Sequence, residues 1–143
     1  MNSMNNVINK NELMIGNIFE IKLQDKYVKV KIFKIGNKQV DILINEKENV
    51  CLIDSLIPIK LNDNILIDDL KFEKRQLKIN GENINDFIKI IENYFILLKV
   101  DKNNKYSLSI TIINGEKICD SFNIEYLHNL QNIIRSNIKE EII

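Results

Sequence analysis

Between Phe19 and Ile44 the side chains alternate with a period of two, and that pattern leaves few options for the fold. Phe19, Ile21 and Leu23 are separated by Glu20 and Lys22, Val28, Val30 and Ile32 by Lys29 and Lys31, and Val40, Ile42 and Ile44 by Asp41 and Leu43. A helix turns by about 100° per residue and would scatter such a pattern, whereas a strand sends alternate side chains to opposite faces. Three strands are therefore expected, led in by Gly16-Asn17, joined at Gln24-Asp25-Lys26 and Gly36-Asn37, and followed by a turn at residues 45–49. A fourth short strand, "VCLI" at residues 50–53, and the segment "LIPI" ending at Pro58 come next. Short strands with tight turns curl to hide their edges, so residues 12–61 predict an SH3-like small β-barrel with Pro58 at an edge or exit. Residues 1–11 are polar and without period, and read as a mobile leader.

The second part of the chain, residues 62–143, reads as an α+β lobe. "LNDNILIDDLKF" fits either a short helix or an irregular crossing, and "QLKING" a strand running into a turn at Asn80-Gly81. Ile84, Phe87, Ile88 and Ile91 fall at i, i+3, i+4 and i+7, which predicts an amphipathic helix. "YFILLKV" is apolar on both faces and predicts a central strand covered on both sides. An alternating strand from Tyr106 to Ile112, a hairpin at Asn114-Gly115 and a return strand "EKICD" follow, and a helix from about Asn123 to Lys139, capped by Ser121 or Asn123, closes the chain. The fold class expected is thus α+β: the barrel, then a small antiparallel sheet packed by one or two helices, with the last helix amphipathic.

Composition narrows the setting more than the function. The chain of 143 residues suits one domain or two small lobes sharing a core, and a chain of that size buries roughly two-thirds of its unfolded surface. It has no Ala and no Trp, one Pro, two Arg beside 18 Lys, and much Ile and Asn, the residues that AT-rich codons supply. A formal net charge of zero argues against reliance on phosphate neutralisation over the whole surface. No apolar run approaches the roughly 18 residues of a membrane span, and "MNSMNNVINK" lacks a signal peptide's apolar core, so a cytoplasmic protein with free thiols at Cys51 and Cys119 is expected.

Three stretches, "NELMIGN" at 11–17, "LIPIKLN" at 56–62 and "YLHNLQN" at 126–132, resemble in order and spacing a family of small uncharacterised proteins of Bacteroidetes phages, prophages and mobile elements. Its members begin ELRIGN, carry PIPLT in the middle and end with YLHELQN. The chain departs from that pattern after Asn132, where it reads "IIRSNIKEEII" in place of a Thr-Gly-Glu/Lys-Glu-Leu ending. The resemblance implies a phage accessory protein that antagonises bacterial defence by gripping a host defence protein or sequestering a nucleotide signal.

Two constellations are candidate sites. On the last helix the apolar stripe of Leu127, Leu130, Ile134 and Ile138 contains Gln131 and is flanked by His128 and Arg135. A buried amide needs a hydrogen-bond partner, so Gln131 and His128 either tie the helix to strand backbone or, with Arg135, converge on a polar ligand, or else belong to a protein or dimer interface. On the second strand Tyr27, Lys29, Lys31 and Phe33 share a face, aromatics among cations, as in barrels that stack bases and hold phosphates; a solvated face kept from aggregating reads the same way. A nucleic-acid-binding module is the alternative function. The acidic clusters at Asp63, Asp68, Asp69 and Glu140-Glu141 read as solvated carboxylates, and one His with two distant Cys has no zinc spacing. No glycine-rich phosphate loop, nucleophile elbow or HExxH occurs. A non-enzymatic binding protein with no metal and no cofactor is expected, with homo-oligomerisation open.

Overall fold

A computed structural model describes residues 8–101, 103 and 105–138. The chain divides into two compact units, residues 1–60 with 126–135 and residues 61–125 with 136–143. Among the described residues the structure is mostly β: an antiparallel sheet in each unit, of four and five strands, and one helix near the C-terminus.

The first unit holds β1 (Ile18–Leu23), β2 (Lys26–Ile35), β3 (Gln39–Ile44) and β4 (Lys47–Leu52), paired in chain order. The turns Gln24-Asp25 and Asn45-Glu46 have positive φ at both residues, the geometry whose twist matches a two-residue hairpin. β4 therefore starts at Lys47 and runs to Leu52, earlier than the 50–53 expected, because the turn needs two residues rather than five. Phe19, Ile21, Val30, Ile32, Val40 and Ile42 point to one side and join Ile8, Leu13, Ile53 and Leu56 in a single core. Ile8 is buried and residues Lys10–Glu12 form a 3-10 turn capped by Asn9, so the part of the expected leader that is described is ordered; residues 1–7 lie outside the described set.

Barrel closure is not seen in this sheet. Beyond β1, among the described residues, Ile57 adds to the sheet, exchanging backbone bonds of 2.8 and 3.0 Å with Glu20. A 3-10 turn at Ile53–Ser55 ends β4, and Pro58, with no N–H, follows Ile57 at once, consistent with its expected place at an exit.

The second unit is a five-stranded meander of β5 (Glu73–Ile79), β6 (Glu82–Ile91), β7 (Tyr94–Val100), β8 (Tyr106–Ile112) and β9 (Lys117–Ile124), with β7 in the middle. Residues 84–91, expected as a helix, are β6. Ile84, Ile88 and Ile90 lie on one face of that strand with Phe87 and Ile91 on the other, so the helical spacing arose from a strand apolar on both sides. Two-residue turns at Asn80-Gly81 and before Tyr94 tie β6 into hairpins at both ends, and its isoleucines favour extended backbone.

The crossing segment contains one π-type turn, Ile65–Asp69, and its following residues reach the inner sheet face, where Lys89 Nζ donates to Leu70 O and lies 5.9 Å from the centre of the Phe72 ring. Phe87, Ile96, Leu98, Leu108 and Ile110 are buried on that face. β7 was expected to be covered on both sides. Only Ile96 and Leu98 are fully enclosed, and Phe95 and Leu97 are half exposed on the other face.

The helix, α1, spans Leu127–Ile138, later than expected, because residues through Ile124 belong to β9 and Asn123 takes a positive φ there rather than capping a helix. Residues 126–135 group with the first unit, whereas sequence reading placed the whole helix in the second lobe. Glu140-Glu141 lie outside the described residues.

Candidate functional site

Gln131 is 4% exposed and spends both ends of its amide on the first unit. Its Oε1 accepts from the Ile18 N–H at 3.0 Å, and its Nε2 donates to the Gly16 carbonyl at 3.1 Å. Beside it Asn17 Nδ2 donates to Asn132 Oδ1 at 2.7 Å, Asn17 Oδ1 accepts from the Met14 N–H at 2.8 Å, and Asn132 Nδ2 donates to the Glu12 carbonyl. The middle motif stretch, 56–62, is tied to the last one, since the Leu127 N–H donates to the Ile59 carbonyl at 2.8 Å and Lys60 bridges to Tyr126. The three motif stretches are thus held together as a polar seam. The helix satisfies backbone groups where the chain enters β1, groups that a sheet ladder leaves open at its start.

His128 is 2% exposed, with its ring 4.7 Å from Phe19 and 6.1 Å from Tyr126. Its Nε2 lies 3.3 Å from Glu12 Oε1, and Nδ1 has no hydrogen-bond partner among the described residues. Asn129 Nδ2 lies 3.3 Å from the same Nε2 and donates to Glu12 Oε1 at 3.3 Å. Burial pushes the imidazole pKa down, and the Glu12 partner only partly opposes that. Arg135, half buried, sits two turns along α1 from His128, about 10 Å by helical rise. Of the three, Gln131 is tied to backbone at the entry to β1, and the His128 ring is enclosed beside Glu12 and Phe19.

Tyr27, Lys29 and Lys31 alternate onto the outer face of the first sheet, with Tyr27 60% exposed, while Phe33 falls at a register shift between Ile32 and Lys34 where the alternation breaks. Register sets Glu20 opposite Lys29 and Leu43 opposite Lys31, with Glu48 opposite Leu43 on the next strand. A stretch with six lysines against Asp25 when read along the chain becomes a face of mixed charge once its neighbours pair.

The outer face of the second sheet carries a cleft of about 450 Å³, which no motif in the sequence marked. It is lined in three rows across β7, β8 and β9. Phe95, Thr111 and Lys117 make the first row, and Leu97, Ser109 and Asp120 the second. Lys99, Ser107 and Phe122 make the third, Phe122 lying between the residues that face Leu108 and Tyr106. One register shift in the β8–β9 pairing, between Ile110 and Thr111, brings Lys117 onto the same face as Asp120, 3.2 Å away; Phe122, two residues past Asp120, is outward by alternation and 70% exposed, and a second shift follows it at Asn123, where φ is 59°.

Farther along the face Arg75 holds Asp86 in a two-pronged ion pair of 2.9 and 2.8 Å, which cancels the carboxylate opposite Lys99. Cys119 and Cys51 are half-buried free thiols whose pKa burial raises. Among the described residues no group of three His, Cys, Asp or Glu side chains could hold a metal ion, and no helix is long and apolar enough to cross a membrane. The chain matches no protein-family model, no curated protein and no solved structure.

Proposed function

We propose that this is a non-enzymatic binding protein of phage or mobile-element type, working in the bacterial cytoplasm as an inhibitor of defence by sequestering a nucleotide signal or a defence protein. Its working surface is the outer face of the second sheet. The observation that carries this reading is the cleft itself: an aromatic ring 70% exposed at Phe122, a second at Phe95, two lysines, one carboxylate and three hydroxyls on one sheet face, where the exposed ring gains nothing from water and the lining offers a ligand both stacking and hydrogen bonds. The resemblance of the three motif stretches supports the phage setting. The chain's one imidazole is engaged with Glu12 and Phe19, which favours binding over acid–base chemistry. The alternative, nucleic-acid binding through Tyr27, Lys29, Lys31 and Phe33, is weakened by Glu20 and Glu48 on the same face.

The test is phage plaquing on bacteria that carry nucleotide-signalling defence systems and express the protein. Wild type should raise plaquing at least tenfold against one system of a panel, and Phe122→Glu should lose the effect. Unchanged plaquing across the panel, or full activity of the variant, overturns the reading.

A further inference from the structure

The charges around the cleft on the second sheet are not equally available. Lys117 is held by Asp120 Oδ2 at 3.2 Å, and Arg75 takes both oxygens of Asp86. Lys99 is exposed, lies between Asp86 and Ser107 on the neighbouring strands, and has no ion-pair partner among the described residues. The cleft therefore presents one cation that is not already engaged, and that cation stands in line with the most exposed ring. Phe122 and Asn123 together oppose Ser107 on β8, and Ser107 pairs with Lys99 on β7, so the row across three strands reads aromatic, hydroxyl, ammonium. Neighbouring strands lie about 4.8 Å apart, which sets Phe122 and Lys99 about 10 Å apart along the backbone frame. A nucleotide has the same order and reach: a base to stack on the ring, a sugar over the hydroxyl and a phosphate at the ammonium. The opposite row ends in Lys117, whose charge Asp120 already balances, and offers no second phosphate site.

The geometry points to a single guanine mononucleotide as the ligand of this row, an inference that rests on the proposed binding role of the same face and names what it binds. Asp120 selects the base. It lies two residues before Phe122 on the same face of β9, about 7 Å along the strand, so a base stacked on Phe122 brings one edge to the carboxylate. Lys117 engages Oδ2, and Oδ1 remains an acceptor. Guanine presents two adjacent donors on one edge, its ring N–H and its amino group, which a carboxylate can accept; adenine has a bare acceptor nitrogen beside its amino group, which a carboxylate oxygen repels. Size agrees, since a cleft of about 450 Å³ sits low in the roughly 300–1,000 Å³ range of small-molecule sites. A long polyanion has no continuing basic track here, because β6 presents Ile84, Ile88 and Ile90 on that face.

The experiment is calorimetric titration of the full chain with guanosine, GMP, AMP and a ten-nucleotide RNA. GMP should bind one per chain, at least tenfold tighter than guanosine or AMP. Phe122→Ala should weaken GMP at least tenfold. Lys99→Ala should bring GMP down to the level of guanosine while leaving guanosine unchanged, and Asp120→Asn should erase the preference for GMP over AMP. All three positions are exposed, and the last two effects are ratios between ligands, which a damaged fold would not move. Lys29→Ala, on the first sheet, should change nothing. Equal binding of GMP with guanosine or with AMP, preference for the RNA, unchanged ratios in Lys99→Ala and Asp120→Asn, or no binding at all overturns the guanine mononucleotide. If no probe binds but Phe122→Glu still abolishes the plaquing effect, the ligand assignment falls and the binding role of the face stands; if GMP binds as described and that variant plaques like wild type, the ligand stands and the defence role falls.

Discussion

At the scale of single residues the Gln131 amide holds α1 to backbone at the entry to β1, and its removal has a predictable cost. Gln131→Ala orphans the Ile18 N–H and the Gly16 carbonyl together, and each lost partner of a buried group costs about 1–3 kcal/mol. A loss of about 2–3 kcal/mol, read as a lower urea midpoint at unchanged slope, is the expected outcome. His128 adds a pH dependence of definite sign. The unfolded imidazole titrates near its ordinary 6.5 and the folded one lower, so as pH falls the unfolded chain takes its proton first. Stability is intact above pH 6.5 and declines as pH falls from there through the folded value. Urea midpoints at pH 7.5 and 5.5 should show that decline, and His128→Phe, which keeps a ring against Phe19, should flatten it. Gln131 within an apolar stripe signalled in sequence that a partner had to exist, but the identity of that partner lies 113 residues away in the chain.

At the scale of elements, period-two alternation was legible wherever one face of a strand met the core and the other met charge. β1, β2 and β3 are of that kind, and they run where alternation placed them. β6 is apolar on both faces, so its isoleucines also satisfied a helical spacing, and hydrogen bonding to β5 and β7 decided the matter. The turns test the same logic by mutation. Gly81 has φ 83° and open space around a would-be Cβ, so Gly81→Ala should cost about 1 kcal/mol from backbone conformation alone, and Gly81→Asn should recover most of it. Gly36 has no such φ, but a Cβ there would stand 2.9 Å from the Gln39 carbonyl oxygen, so Gly36→Ala and Gly36→Asn should both shift the turn and lower the urea midpoint. If Asn rescues both glycines equally, the distinction between strain and space is wrong.

For the molecule as a whole, the surface proposed for function is separable from the forces that hold the fold. Phe122 is 70% exposed, and Phe122→Ala should leave stability within about 0.5 kcal/mol of wild type in urea titration while removing the stacking corner of the cleft. A larger loss would mean that the ring packs on the protein and is not presented to a ligand. The sequence by itself determined what local rules can determine: alternating strands, the turns at Gln24-Asp25 and Asn80-Gly81, the stripe of the last helix, and a buried amide in want of a partner. Each depends on neighbours within a few residues. Only the tertiary structure decided that β6 is a strand, that Glu20 and Glu48 lie on the face of the β2 lysines, and that a slip in the β8–β9 register brings Lys117 to the face of Phe95, Lys99 and Phe122 around one cleft. The physical reason is that register between strands is set by side-chain burial and bulges across the whole sheet, and a shift of one residue sends a side chain to the opposite face, which no local pattern records.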